Sequence, residues 1–168
     1  MGEPFTVSLS LTIRPCVEED VPALEWFGMF TPHRELLAQA WARCRAGDNP
    51  MLVADLDGFP VGQVWIDLAR RVPEPVGMIW ALRVLPCLQR LGIGARLLAA
   101  AEAEIRRRGR QIAEIGVEKE NPDARRLYER LGYRAAGEEL EDFKYTTPWG
   151  EERREVVDQW ILRKHLGL

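Results

Sequence analysis

A short apolar strand, a turn with two glycines and a long amphipathic helix follow one another between Leu82 and Leu98, and this order constrains the fold most strongly. The turn reads Gln89-Arg90-Leu91-Gly92-Ile93-Gly94. The first amide groups of a helix have no partners within it, and the helix dipole favours an anion at that end. Glycines let a ligand approach the backbone closely. The segment therefore predicts a phosphate-binding site at the start of the helix.

Three phosphate-binding motifs compete for this turn. A P-loop requires a Gly-Lys pair, which the chain lacks. A dinucleotide fingerprint requires a third glycine where this chain has Leu97. The third pattern, Q/R-x-x-G-x-G/A after a strand, is matched by Gln89, Gly92 and Gly94. It resembles the acetyl-CoA-binding motif of the GNAT superfamily of N-acetyltransferases.

A second motif of the same superfamily follows in the expected order and at the expected distance. The pattern V-x-x-x-N-x-x-A-x-x-L-Y-x-x-x-G-F/Y is matched by Val117, Asn121, Ala124, Leu127, Tyr128, Gly132 and Tyr133. The apolar positions also form a stripe that packs a helix. Packing alone does not explain why the first motif precedes this one at the expected distance. The two motifs together therefore resemble the signature of the GNAT superfamily.

The resemblance implies where acetyl-CoA binds. The CoA pyrophosphate is expected on the backbone amides of Arg90, Leu91, Gly92, Ile93, Gly94 and Ala95, and Gln89 holds the first position of the motif. Backbone groups of Leu82, Arg83 and Val84 are expected to pair with pantetheine, and one amide there to polarise the thioester carbonyl.

Two side chains of the second motif receive roles from the same resemblance. Asn121 is expected to hydrogen-bond the pantetheine arm, with a simple helix cap as the alternative. Tyr128 is expected to protonate the departing thiolate as a general acid, with a packed aromatic ring as the alternative.

The general base is not evident from the sequence. Many members of the superfamily carry a glutamate on the fourth strand, where this chain has Met78. The alternatives are a chain of water molecules or one of the carboxylates Asp67, Glu114, Glu118, Asp142 and Asp158.

Composition limits the other classes of function. We expect residues 1–168 to form one N-acetyltransferase domain with its core motifs at 77–133, since this length suits one domain. The net charge of −3 and the short basic run at 106–110, without interleaved aromatics, do not favour nucleic acid. Three scattered cysteines and two histidines predict no metal site. No signal sequence or long apolar run is evident, so we expect a cytoplasmic protein without membrane attachment.

The pattern of apolar residues predicts an α/β (or α+β) fold. Alternation from Leu9 to Ile13 predicts a first strand. Helices are predicted at 17–27, 34–45, 92–108 and 123–131, and further strands at 51–56, 61–68, 77–85, 112–117, 134–147 and 155–163. Together they predict a mixed, mostly antiparallel sheet of about seven strands, flanked by helices. The resemblance implies that the fourth and fifth strands are parallel and splay apart to admit the cofactor.

The sequence therefore predicts an enzyme that moves an acetyl group from acetyl-CoA to a primary amine by direct attack. The alternative is a CoA-binding sensor without transfer activity, which the missing strand carboxylate motivates. A small-molecule or peptide amine is the expected partner, and protein N-termini, lysines, polyamines, amino acids and aminoglycosides all remain open. The C-terminal hairpin could pair across a homodimer.

Overall fold

Seven strands form one sheet in the spatial order β1-β2-β3-β4-β5-β7-β6 in the computed structural model. The structure describes residues 1–167, so residue 168 of the predicted domain lies outside the described part. In chain order the strands β1 to β7 are Thr12–Pro15, Met51–Leu56, Phe59–Asp67, Val76–Val84, Ile112–Glu118, Arg134–Thr146 and Glu152–His165. β4 and β5 are parallel and the other neighbouring pairs are antiparallel. The predicted mixed sheet is confirmed.

Helices cover both faces of this sheet. They are α1 (Arg34–Ala46), α2 (Ile93–Arg107) and α3 (Pro122–Arg130). α2 buries Leu97, Leu98 and Ile105 in the larger core, to which α3 adds side chains, and α1 buries Leu37 beside Trp65 on the opposite face. Each fully buried leucine contributes about 1.5–3 kcal/mol by leaving water. The predicted apolar face of α2 is confirmed.

The helix predicted at 17–27 is wrong. The chain there forms two short 3₁₀ segments, Glu18–Asp20 and Pro22–Glu25. Pro22 has no amide hydrogen and interrupts a continuous helix. The Asp20 carboxylate also accepts a hydrogen bond from the amide of Val17 at 2.9 Å, which fixes a turn.

Some element boundaries differ from the predicted ones. β1 begins at Thr12, later than the alternation from Leu9 predicts, and β7 extends beyond 155–163 at both ends. α2 begins at Ile93 because Gly92 has φ +84° and forms its N-cap. Asp57 and Gly58, with φ of +51° and +89°, form the tight turn that joins β2 and β3.

β4 and β5 pair over only part of their length. The pairing runs from Val76 opposite Ile112 to Ile79 opposite Ile115. Beyond it, β4 continues along β3 and β5 continues along β7. The predicted splay of the two parallel strands is confirmed, and the opening between them positions the candidate site.

Candidate active site

A cavity of about 520 Å³, here called the cleft, lies where β4 and β5 diverge. Its walls come from the four strands β4, β5, β6 and β7 and from the helices α1 and α3. Its lining includes Met78, Trp80, Ala81, Leu82, Gly116, Glu118, Asn121 and Tyr128. A volume of this size suits part of a small-molecule ligand.

A β-bulge in β4 marks the point where the two strands separate. Arg83 lies opposite Gln63 and Trp80 opposite Trp65, so β4 has one more residue than β3 in this interval. The extra residue is accommodated at Ala81, whose φ of +50° is in the left-handed region. Such a conformation costs about 1–3 kcal/mol in a residue other than glycine.

Gln63 stabilises this bulge. Its side chain is only 1% exposed, and its amide Nε2 donates to the carbonyl oxygen of Ala81 at 3.1 Å. The strained residue is therefore held by a buried hydrogen bond, directly beside the cleft. Sequence reasoning missed this feature, because neither alanine nor glutamine is typical of a bulge.

The glycine turn follows β4 beyond the cleft. Arg90 and Gly92 have φ of +62° and +84°, and Leu91 is exposed. The first amide of α2 that bonds within the helix is that of Arg96, which donates to the Gly92 carbonyl at 3.2 Å. The preceding amides, those of Ile93, Gly94 and Ala95, have no partner inside the helix.

Neither the packing around residue 94 nor its backbone conformation requires a glycine at this position. A Cβ built on Gly94 would meet only Val84 Cγ2, at 3.8 Å, which is ordinary contact. Its backbone is helical, and glycine in a helix costs up to about 1 kcal/mol relative to alanine. A ligand that approaches the backbone explains a glycine here. The turn therefore fits a bound phosphate.

Tyr128 contributes its side chain to the wall of the cleft from α3. Its ring also packs against the larger core and meets Tyr133 edge to face, with centroids 6.1 Å apart. Burial raises the pKa of the Tyr128 hydroxyl above its ordinary value. The hydroxyl is therefore protonated at neutral pH and able to donate a proton.

Asn121 and Gln89 make local hydrogen bonds as well as occupying motif positions. Asn121 Oδ1 accepts from the amide of Ala124 at 3.1 Å and so caps α3, while the residue lines the cleft. Gln89 Nε2 donates to the carbonyl of Val84 at 3.1 Å, which ties the glycine turn to the end of β4. Both side chains therefore help to shape the site.

Two of the carboxylates considered as general base have structural roles. Glu114 is fully buried, and its two oxygens accept from Arg71 Nε and Arg163 Nε, each at 2.8 Å. Asp67 Oδ1 accepts from the amides of Ala69 and Arg70 at 2.9 Å, so it stabilises the turn after β3. Both carboxylates therefore stabilise the fold and are occupied by these hydrogen bonds, which makes them poor candidates for the general base.

The other three carboxylates differ in their surroundings. Asp142 is paired with Arg154, and Asp158 lies 2.8 Å from Lys119. Glu118, at the end of β5, has no cationic group within 4 Å among residues 1–167. It also lines the cleft, so it is the best placed of the five to receive a proton there.

A second cavity, of about 320 Å³, meets the cleft at the bulge, and we call it the aromatic pocket. It shares Leu36, Trp80, Ala81, Glu118 and Phe143 with the cleft. Its other walls include Phe30, His33, Trp65, Arg83 and Glu155. His33 Nε2 lies 3.2 Å from the Tyr145 hydroxyl, which donates to Glu155 at 2.7 Å. Trp80 lines both cavities and lies between them.

Among residues 1–167, no group of three or more histidine, cysteine or acidic side chains is arranged to hold a metal ion. None of the helices in this part of the chain has the length and apolar character needed to cross a membrane.

Residues 17–133 match the model of the acetyltransferase (GNAT) family. The chain therefore belongs to this family. An N-acetyltransferase of unassigned function from Archaeoglobus fulgidus is 39% identical over 93 residues, which are 52% of this chain and 61% of that protein. The mycothiol acetyltransferase of Thermomonospora curvata is 32% identical over 83 residues, 49% of this chain and 27% of that protein. The matched regions span less than two thirds of either relative.

Solved structures share the fold at low sequence identity. YncA from Salmonella typhimurium, solved with its cofactor acetyl-CoA, superposes with a TM-score of 0.71 at 20% identity and 95% coverage of both chains. The PaiA N-acetyltransferase of Thermoplasma acidophilum, in complex with coenzyme A, gives 0.70 at 17% identity, covering 94% of this chain and 99% of that one.

Proposed function

We propose that residues 1–168 form one acetyltransferase domain, which moves the acetyl group of acetyl-CoA to a primary amine. The observation that carries this proposal is the bulge at Ala81. It lies just beyond the last β4–β5 pair, where the cleft and the aromatic pocket meet, and the glycine turn follows the end of β4. Two substrates that enter from different sides would meet at this point. Family membership and the acetyl-CoA in the YncA structure support the same assignment.

The proposed position of acetyl-CoA follows β4 from the turn to the bulge. Amides 90–95 bind the pyrophosphate, and Gln89 holds this turn against Val84. The backbone of Leu82, Arg83 and Val84 pairs with pantetheine in place of β5, and Asn121 faces the same arm from α3. An amide of this part of β4 polarises the thioester carbonyl.

The proposed reaction balances with two side chains. Glu118 accepts a proton from the ammonium form of the acceptor, directly or through water, which frees the nitrogen lone pair. The nitrogen attacks the thioester carbonyl carbon, so a C–N bond forms and the C–S bond breaks with its electron pair on sulfur. Tyr128 donates its hydroxyl proton to that sulfur, and the second proton that the nitrogen loses on becoming an amide passes through water and restores the Tyr128 hydroxyl. The products are an N-acetyl amide and CoA.

Tyr128→Phe tests the enzyme and the assigned acid together. Removal of the hydroxyl should lower turnover by roughly 100-fold, because a positioned general acid contributes about 10²–10⁴-fold. Since the ring is retained, affinity for acetyl-CoA should stay within about twofold. Thiol release across a panel of amines gives the rate, and calorimetric titration with acetyl-CoA gives the affinity.

The pH dependence provides a second readout of Tyr128. Because its pKa is raised above the ordinary value for tyrosine, the hydroxyl should remain protonated and the wild-type rate should persist beyond the pH at which an ordinary tyrosine ionises. An unchanged rate in the phenylalanine variant would remove Tyr128 from the mechanism. Binding of acetyl-CoA without thiol release by any amine would instead favour the CoA sensor.

A further inference from the structure

Arg83 is a cation without an anion. Its guanidinium carbon lies 3.8 Å from the ring centroid of Phe30 and 5.8 Å from that of Trp65. Within residues 1–167, no carboxylate lies within 4 Å of it, and its side chain makes no hydrogen bond. Burial lowers the pKa of Arg83 to about 10, so the group is still charged at neutral pH.

Other partly buried arginines of this protein are paired. Arg14 lies 2.7 Å from Asp20, Arg71 lies 2.8 Å from Glu114, and Arg163 lies 2.8 Å from the same carboxylate. A charge removed from water costs free energy unless it is compensated, and attraction to a ring face compensates only about 0.5–2 kcal/mol. Arg110, which is also partly buried, donates to the carbonyl oxygen of Leu68 at 3.1 Å, whereas the Arg83 side chain has no acceptor among the described residues.

Its environment specifies what would bind there. Stacking on Phe30 uses the face of the guanidinium and leaves its in-plane N–H donors for an oxyanion. Trp65, which lines the same pocket, is 2% exposed, and its indole Nε1–H has no acceptor among the described residues. That indole N–H is closed off from the pocket, so the Arg83 guanidinium is the donor that the pocket offers to an anion.

The opposite charge is present in the same pocket. Glu118 and Glu155 line it together with Arg83. A cation and two carboxylates around about 320 Å³ of aromatic surface suit a small zwitterion. Its ammonium group would face Glu118, beside the cleft, and its anionic group would face Arg83.

We infer that the acceptor is a small amine that also carries an anionic group, a carboxylate or a phosphonate, which pairs with Arg83 in the aromatic pocket. This inference rests on the proposed acetyl transfer and adds the substrate class. Arg83 acts here through its side chain, whereas its proposed contact with pantetheine uses the backbone.

The test compares amines that differ only in the anionic group. β-Alanine and 2-aminoethylphosphonate are compared with ethylamine, and L-phenylalanine with phenethylamine. The wild type should show kcat/KM at least tenfold higher for the anionic member of each set. In Arg83→Gln this ratio should fall at least tenfold, and Arg83→Lys should restore part of it. Arg45→Gln, the same charge change on the exposed surface of α1, should leave the ratio unchanged.

The same set of amines distinguishes a carboxylate from a phosphonate as the anionic group of the acceptor. A preference for 2-aminoethylphosphonate over β-alanine identifies the phosphonate, and the reverse identifies the carboxylate. Equal rates for charged and neutral amines, an equal loss of both in Arg83→Gln, or acetylation of peptides alone would each overturn the inference.

A binding measurement distinguishes failure of this inference from failure of the proposed function. L-Phenylalanine and 2-aminoethylphosphonate are titrated calorimetrically into CoA-saturated protein. If no amine is acetylated but either compound binds the wild type and not Arg83→Gln, the enzyme assignment fails and the anion site stands. If neither compound binds or is acetylated, the anion site is overturned whatever the result for acetyl-CoA.

Discussion

Among single residues, Glu118 decides the proton balance of the proposed reaction. Glu118→Gln keeps the size of the side chain and removes the acceptor of the ammonium proton, so kcat should fall by roughly 10²-fold or more. Thiol release at saturating acetyl-CoA measures this effect. Glu120→Gln is a matched control, because Glu120 is exposed and lies outside the lining of both cavities.

The control should retain the wild-type rate. Loss of activity in both variants to the same degree would indicate a general charge effect on the protein surface. Retention of activity in Glu118→Gln would leave the proton to a chain of water molecules, since Glu114 and Asp67 are committed to arginine and backbone partners.

Residues of the site differ in how far the sequence predicts them. Gly94 and Tyr128 each belong to a motif whose residues are close together in the sequence. The spacing of such a motif can be recognised without a structure. The contact of Arg83 with Phe30 and Trp65 cannot be read in this way. It depends on the bulge at Ala81, which changes the register of β4 against β3, and on the 3₁₀ segments that place Phe30.

Among the secondary-structure elements, α2 and β4 are in close contact at Gly77. A Cβ on Gly77 would lie 2.6 Å from Ile105 Cγ1, and Ile105 is fully buried on α2. Ile105 is β-branched and has little freedom to move. Gly77→Ala should therefore destabilise the fold by about 1–3 kcal/mol, as overpacking of a core usually does.

Urea unfolding followed by circular dichroism measures this change. Gly2→Ala is the control, because a Cβ there would meet nothing within 4 Å. Wild-type stability in Gly77→Ala would mean that α2 shifts freely on the sheet. In that case the helix would not hold the glycine turn in a fixed position relative to β4.

Prediction from the sequence succeeded for elements with a strong period. The apolar residues of α1, α2 and the strands recur with the period of a helix or a strand, and these segments form the predicted elements. The segment 17–27 has a helical pattern too, but Pro22 and the hydrogen bond from Val17 to Asp20 favour separate turns. Local hydrogen bonds of this kind compete with a helix and are not visible in hydrophobic periodicity.

In the whole molecule, the sheet consists of two parts that meet at a short seam. β1–β4 lie on one side and β5–β7 on the other, and their pairing ends at Ile79 and Ile115. The seam is shorter than the β6–β7 pairing, which runs from Arg134 to Thr146. A ligand arm bound in the cleft would extend the seam, as a strand between β4 and β5 would.

Acetyl-CoA should therefore slow hydrogen exchange at both edges of the cleft. We expect amides in 80–84 and 116–118 to exchange at least about tenfold more slowly at saturation, because a ligand that binds only the folded state reduces opening in proportion to its occupancy. The hairpin of β6 and β7 is the internal reference away from the cleft. Adenosine 3′,5′-bisphosphate, which has phosphates but no pantetheine arm, should protect the amides of 90–95 alone. Protection at the turn without protection in 80–84, in the presence of acetyl-CoA, would contradict the proposed path of the cofactor along β4.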